Sequence, residues 1–230
     1  MTAGKVFTDE ELRDMGTQTA ELIQAAINAD DKEKAKRLTR RMFKEWLSMH
    51  DLYRDWTTAL MSFIGRSFGD EVLQEALKES CAVWMKPVAE LYQQCDREGN
   101  PRRKAELLAA GLRGHLMPVK IEEDEEKFIF QMEPCGSGGR LIQEGYYGPP
   151  VDFLKIEKPQ PMTTGQKDMP VYCAHGPVLS MLGIEWGGAP VFFEEPSDKL
   201  GEKACKFYLY KDPKDTPAEL YAKVGKEKKS

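Results

Sequence analysis

The stretch IEEDEEKFIFQMEP, residues 121–134, is where the chain changes character. Its second half alternates: Phe128, Phe130 and Met132 fall on one side, Ile129, Gln131 and Glu133 on the other. That period of two marks a strand with one buried face. The acidic run before it, Glu122 to Glu126, reads as a solvated face, because the ligand spacing of a calcium loop is absent. Upstream of about residue 116 the patterning is helical; downstream it mixes strands, turns and short helices. The expected fold class is therefore α+β. It comprises an N-terminal antiparallel helical bundle (1–115), a small antiparallel sheet with short helices (116–215) and a basic flexible tail (216–230).

Working toward the N-terminus, Thr8 and Glu11 spell a capping box that opens a helix through about Ala29. NADDKEK breaks it. A second helix is expected over about 31–65, on which Phe43, Trp46, His50, Tyr53, Leu60 and Ile64 nearly follow one seam and predict a buried stripe. A third, about 70–85, is ended or kinked by Pro87. Its continuation stops at Gly99-Asn100-Pro101, and a last helix covers about 102–113. Working toward the C-terminus, residues 135–171 are rich in Gly, Pro and polar side chains and read as a long irregular segment lying over a site. GPVLSMLGIEW suits a short helix with Pro177 in its first turn. APVFFEE and ACKFYLYKD read as strands.

The 230 residues are 41% hydrophobic and 31% charged, the balance of a folded soluble protein. A net charge of −5 gives no reason for a nucleic-acid partner. No apolar run approaches the roughly 20 residues that span a bilayer, so no membrane association is expected. MTAGKVFTDEELRD lacks the basic-then-apolar order of a signal peptide, which makes a cytoplasmic address the expectation. An odd count of five cysteines argues against a disulfide framework there. The cysteines are then core residues, metal ligands or reactive thiols.

The densest chemistry is YCAHGP, residues 172–177. Cys173 and His175 at i, i+2 point the same way if the segment is extended, and they precede a helix N-terminus, where the dipole lowers a thiol pKa. With Cys135 and Cys205 they make a Cys₃His set suited to zinc, with iron as the alternative. The competing reading is a buried small hydrophobe at Cys205 and lone thiols elsewhere. In EPCGSGGRL (133–141), Gly136, Ser137, Gly138 and Gly139 read as an anion-binding nest, and Arg140 as a bidentate grip on a carboxylate. The competing reading is a bulged turn whose glycines need positive φ. Neither P-loop nor dinucleotide-fold spacing is present. Cys135 reads better as ligand than nucleophile, since no histidine lies near it in sequence. His50 is either a core histidine or a base or ligand walled by Trp46 and Tyr53. His115 suits a helix C-terminal cap. Glu185 is either a general acid/base or a surface carboxylate.

The run from Val171 to Asp212 resembles the end of the vinyl-reductase-type (4-vinyl reductase) ligand-binding domain. That domain occurs in bacteriochlorophyll-biosynthesis proteins and phenol-sensing transcription activators. The run is also similar to aminothiazoline-carboxylate hydrolase-like proteins. The resemblance implies a zinc site at Cys173, Glu194 and Cys205. The remaining ligand position of that pattern holds Ser197, a poor zinc ligand, and Cys135 or His175 is expected to substitute. WLSMHDLYRDW and PCGSGGRL look like a group of uncharacterised bacterial proteins, a likeness that implies no activity.

These readings lead to one expectation: a small-molecule-binding metalloprotein acting as a hydrolase or lyase on a small carboxylated substrate. The alternative is a sensor or carrier domain with a structural zinc. A homodimer is compatible with either. A scaffold would instead show a large exposed apolar patch.

Overall fold

A computed structural model describes residues 6–229. The chain forms two compact units, Met1–Arg54 and Asp55–Ser230. The division falls inside the second expected helix rather than near residue 116, because the later helices pack with the sheet.

The first unit is helical. α1 (Asp9–Gly16) is opened by the expected capping box: the Thr8 backbone N–H donates to Glu11 at 2.7 Å, and the Glu11 N–H donates to the Thr8 hydroxyl at 3.2 Å. The single helix expected to reach Ala29 is two. Thr17 turns extended, its hydroxyl donating to the Arg13 carbonyl at 2.7 Å, and α2 (Thr19–Asn28) starts afresh. α3 (Lys32–Phe68) begins at the Asp31 carboxylate, which accepts from the Lys34 N–H at 2.9 Å. The Thr19 hydroxyl donates to Glu45 at 3.0 Å, tying α2 to α3.

The buried stripe expected on α3 is not buried. Phe43, Trp46, Tyr53 and Leu60 are each about half exposed, and His50 and Ile64 are intermediate. In the second unit the helix buries its other face, where Thr58, Met61 and Ser62 have at most 6% exposure. Ser62 has a reason to be inside: its hydroxyl accepts the Leu154 backbone N–H at 3.0 Å. Periodicity shows which face is apolar, not what covers it.

The second unit continues with α4 (Asp70–Arg97) after Gly69, whose φ of 84° only glycine adopts readily. Pro87 neither ends nor replaces this helix. It cannot donate to the Val83 carbonyl, but Val83 is 82% exposed, while Met85 and Ala89, at 1% each, hold the helix to the core on either side. α5 (Pro101–Arg113) follows, capped by Asn100. Lys104, 3% exposed, reaches Asp96 on α4 at 2.5 Å and the Tyr210 carbonyl at 3.0 Å, clamping both helices to the sheet.

The sheet is antiparallel, in the order β1 (Lys120–Glu123), β2 (Lys127–Met132), β6 (Cys205–Tyr210), β5 (Phe193–Glu195). β1 is exposed throughout, as its acidic sequence predicts. β2 alternates as expected, with Phe128, Phe130 and Met132 buried. The segment read as irregular contains a short helix, α6 (Gly138–Gln143), and a two-stranded ladder of β3 (Lys155–Ile156) and β4 (Met169–Pro170). α7 (His175–Gly187) packs against α4 and β5. Every residue from Gly176 to Gly183 is buried, so α7 is a core helix with no amphipathic face. The expected flexible tail is instead ordered through α8 (Ala218–Lys223): Leu220, Tyr221 and Val224 are buried, and Lys226 pairs with Glu185 at 2.6 Å. Its lysine-rich composition hides three apolar anchors.

The α+β chain is thus a long N-terminal helical region followed by a small antiparallel sheet with short helices. Phe130 has no exposed surface and Ile121 is half exposed. Phe130→Ala should cost about 3–5 kcal/mol in urea unfolding, whereas Ile121→Ala should stay within about 0.5 kcal/mol. Similar costs at the two positions would contradict the assignment of the buried sheet face.

Candidate functional site

The second unit encloses a cavity of about 300 Å³. Apolar side chains of α4 and α5, together with Phe192 and Phe207, form much of its wall. The same wall carries His115, Cys135, Cys173, His175, Glu194, Lys203 and Cys205. The four residues expected to form a metal set therefore line one space.

Strand register brings them there. Cys205 opens β6 opposite Met132, so the chain leaving β2 delivers Cys135 three residues later to the same end of the sheet. Glu194 on β5 pairs with Phe207, two residues along β6 from Cys205, which puts the carboxyl and the thiol on one sheet face. Cys173 lies in the 3-10 turn Val171–Ala174, which runs directly into α7.

Small residues make the close approaches possible. A Cβ at Gly138 would sit 2.8 Å from the Cys173 sulfur, one at Gly136 1.9 Å from the His115 carbonyl oxygen, and one at Gly176 1.6 Å from Glu194 Oε2. The Glu194 carboxyl thus occupies the space left by Gly176 in the first turn of α7. Gly136, Gly138 and Gly139 all avoid positive φ, so the backbone alternation of an anion nest is not formed, and neither is the positive-φ bulge. The glycines serve as gaps for a sulfur and a carbonyl. Arg140 points to its own helix, 3.3 Å from Glu144, and is not part of the cavity wall.

Two imidazoles are oriented by specific bonds. His175 Nδ1 lies 2.5 Å from the Tyr172 carbonyl oxygen, which can only accept; Nδ1 therefore carries the hydrogen. Burial, together with the charge of His115 and against the pull of that hydrogen bond, drops the His175 pKa to about 4, so the ring is neutral and Nε2 keeps its lone pair. His115 Nδ1 lies 2.8 Å from the Ser137 hydroxyl and 3.9 Å from Cys135 Sγ, and the Ser137 N–H donates to that sulfur at 3.4 Å. A histidine is thus beside Cys135 after all, twenty residues away in sequence. The capping reading of His115 missed it, because nothing local to RGHLMP signals the loop that folds back.

The acidic groups are held neutral. Burial first, then Cys135, raises Glu194 to about 8. Burial, then Glu194, raises Cys205 to about 12. Cys173 is raised well above the thiol range by burial and by Cys205, Cys135 and Glu194 in turn. Each of these groups disfavours charge on its neighbours, which is the signature of a tight acidic cluster in a low-dielectric space. The expected lowering of the Cys173 pKa at the helix end is therefore overturned by desolvation and by its acidic neighbours. Among the described residues, no three His, Cys, Asp or Glu side chains stand at the spacing of a metal site.

The remaining candidates lie elsewhere. Glu185 is paired with Lys226 at 2.6 Å and Lys78 at 2.9 Å; these bonds outweigh its partial burial and keep it ionised outside the cavity. This corrects the general acid/base reading. Trp46, His50 and Tyr53 belong to the first unit, with His50 Nδ1 2.9 Å from Asp51, whereas second-unit residues alone form the cavity wall.

Protonated Glu194 makes stability depend on pH in the chelator-treated protein. The folded state keeps the proton up to about pH 8, while an unfolded glutamate releases it near 4.5, so stability falls as pH rises between those values. His175, at about 4 folded against 6.5 unfolded, acts oppositely but only below pH 6.5. From pH 6.5 to 8 Glu194 dominates and should remove about 2 kcal/mol. Denaturant titrations should show that loss in the wild type and its disappearance in Glu194→Gln; a wild type flat across this range would contradict the placement of the carboxyl.

No protein-family model matches this chain, and neither a curated protein nor a solved structure shows significant similarity to it.

Proposed function

We propose that this protein binds a small anionic molecule in the second-unit cavity and acts on it as a hydrolase or lyase. The supporting observation is the pairing, in one apolar cavity, of a carboxyl held protonated with an imidazole held neutral. Titratable groups pushed in opposite directions at one site are what acid–base chemistry near neutral pH requires. Glu194 can give a proton to a leaving atom. His175, with Nδ1 fixed on the Tyr172 carbonyl, can accept one at Nε2. Lys203, at the cavity wall and 3.4 Å from Asp198, would supply a cation for a carboxylate on the substrate by exchanging that partner, the part first expected of Arg140. A volume of about 300 Å³ sits at the small end of ligand pockets, roughly 300–1,000 Å³.

The donor chemistry also fits a thiophilic divalent ion: zinc, or iron as the alternative. Cys135, Cys173 and Cys205 would hold it, after turning inward from their present spacing. When bound, such an ion supplies Lewis acidity toward a substrate oxygen or a water molecule. Three thiols leave Glu194 and His175 for proton transfer. A second reading follows from the mutual influence of Glu194 and the thiols. With Glu194 as a fourth ligand the site closes, and the protein is a sensor or carrier with a structural ion.

Elemental analysis and zinc equilibrium dialysis of the full chain separate these readings. One equivalent of metal is expected in the wild type and less than a tenth of that in Cys173→Ala. Retention of metal in Glu194→Gln supports the catalytic reading, and its loss supports the closed site. A native wild type that takes up no zinc would remove the metal from either.

A further inference from the structure

The cavity of the second unit has two unlike ends. Cys135, Cys173, His175, Glu194 and Cys205 gather where β6 opens and α7 begins. The other end lies between α4 and α5. Trp84, Val88 and Leu91 of α4 follow one another at steps of four and three residues, which puts them on one helix face. Leu107 and Gly111 of α5, four residues apart, line the same space. Trp84 and Leu91 are each about half exposed although both belong to the cavity wall. They border the cavity and the solvent at once, which makes this end a mouth. A Cβ at Gly111 would meet nothing within 4 Å, so the α5 side of the mouth is open space. None of the α4 and α5 residues on the wall carries a charge.

We propose that the substrate is an amphipathic carboxylic acid whose apolar tail lies between α4 and α5 and whose carboxylate is drawn toward Lys203. The proposal rests on the hydrolase or lyase reading of this cavity and names the class of molecule it takes. A wholly polar substrate would gain nothing from α4 and α5 and would leave Trp84 and Leu91 in water. An apolar tail removes both from it, and itself as well. The shape favours a chain: α4 advances about 10 Å between Trp84 and Leu91, and the space continues from there to the strand end at Cys205. Volume sets the size. A water molecule takes about 30 Å³ in the liquid and a methylene is of similar bulk, so a cavity of about 300 Å³ holds on the order of ten non-hydrogen atoms. Octanoate has that number.

Calorimetric titration of the full-length protein with butanoate, hexanoate, octanoate and dodecanoate tests the class. Affinity should rise about fourfold per methylene up to octanoate and level off by dodecanoate. Octanamide, which keeps most of the tail and lacks the charge, should bind about fivefold more weakly than octanoate. Gly111→Trp fills the mouth from the α5 side; it should weaken octanoate at least tenfold with an unchanged helical circular-dichroism spectrum. Should the indole unfold the chain, the wild-type series decides alone. Equal affinities along the series, no binding of any of the four acids, or a folded Gly111→Trp that binds octanoate as the wild type does would each overturn the inference. Tail-dependent binding by a chain that takes up no zinc supports the substrate class and removes the metal from the site. Zinc uptake with a flat series leaves the site and overturns the class.

Discussion

Met132 of β2 faces Cys205 of β6, and this pairing decides where the chemistry of the second unit gathers. Strand side chains alternate with a period of two, so a slip of one residue would turn Phe128, Phe130 and Met132 outward and carry Cys205 to the wrong face. The buried phenylalanines therefore enforce the register through the hydrophobic effect, and the register in turn delivers Cys135, Glu194 and Cys205 to one end of the sheet. The core helix α7 completes the set from above, with Cys173 and His175 where the 3-10 turn enters it.

The price of the gathering is electrostatic. Cys173, Cys205 and Glu194 lie near one another on an apolar cavity wall, and burial together with their mutual influence raises the pKa of all three. Interiors assemble such groups at a cost in stability, and sites of function are where that cost is tolerated. The glycines fit the same picture. Gly138 and Gly176 give up side chains so that a sulfur and a carboxyl can approach the backbone. The surface carboxylate Glu185, on the helix that begins at His175 and held by Lys78 of α4 and by Lys226 beyond α8, shows how differently an acid outside the cavity is treated.

Much of this was legible in the residues. Alternation marked β2, the capping box marked α1, and residue type alone picked out Cys135, Cys173, His175 and Cys205, which do share a cavity. Glu194 was visible only through a resemblance, because a glutamate in a strand reads as solvent-facing until its cross-strand partner is known. His115 was hidden by a contact twenty residues long. Two errors share a cause: the exposed seam of α3 and the ordered C-terminal helix were each decided by what the segment packs against, which local propensity does not encode. Arg140 illustrates the same limit, since its guanidinium lies 3.3 Å from Glu144 and outside the cavity wall.

The β2–β6 register and the 3-10 turn that enters α7 together bring three thiols to one cavity wall. A trivalent arsenical such as phenylarsine oxide bridges thiols only when they can meet at one arsenic atom. Native protein treated with it should retain one equivalent by intact mass, and the retention should vanish when Cys135, Cys173 and Cys205 are all replaced by serine. A native chain that retains none, or retention that survives the triple replacement and so belongs to Cys81 or Cys95, would contradict the account.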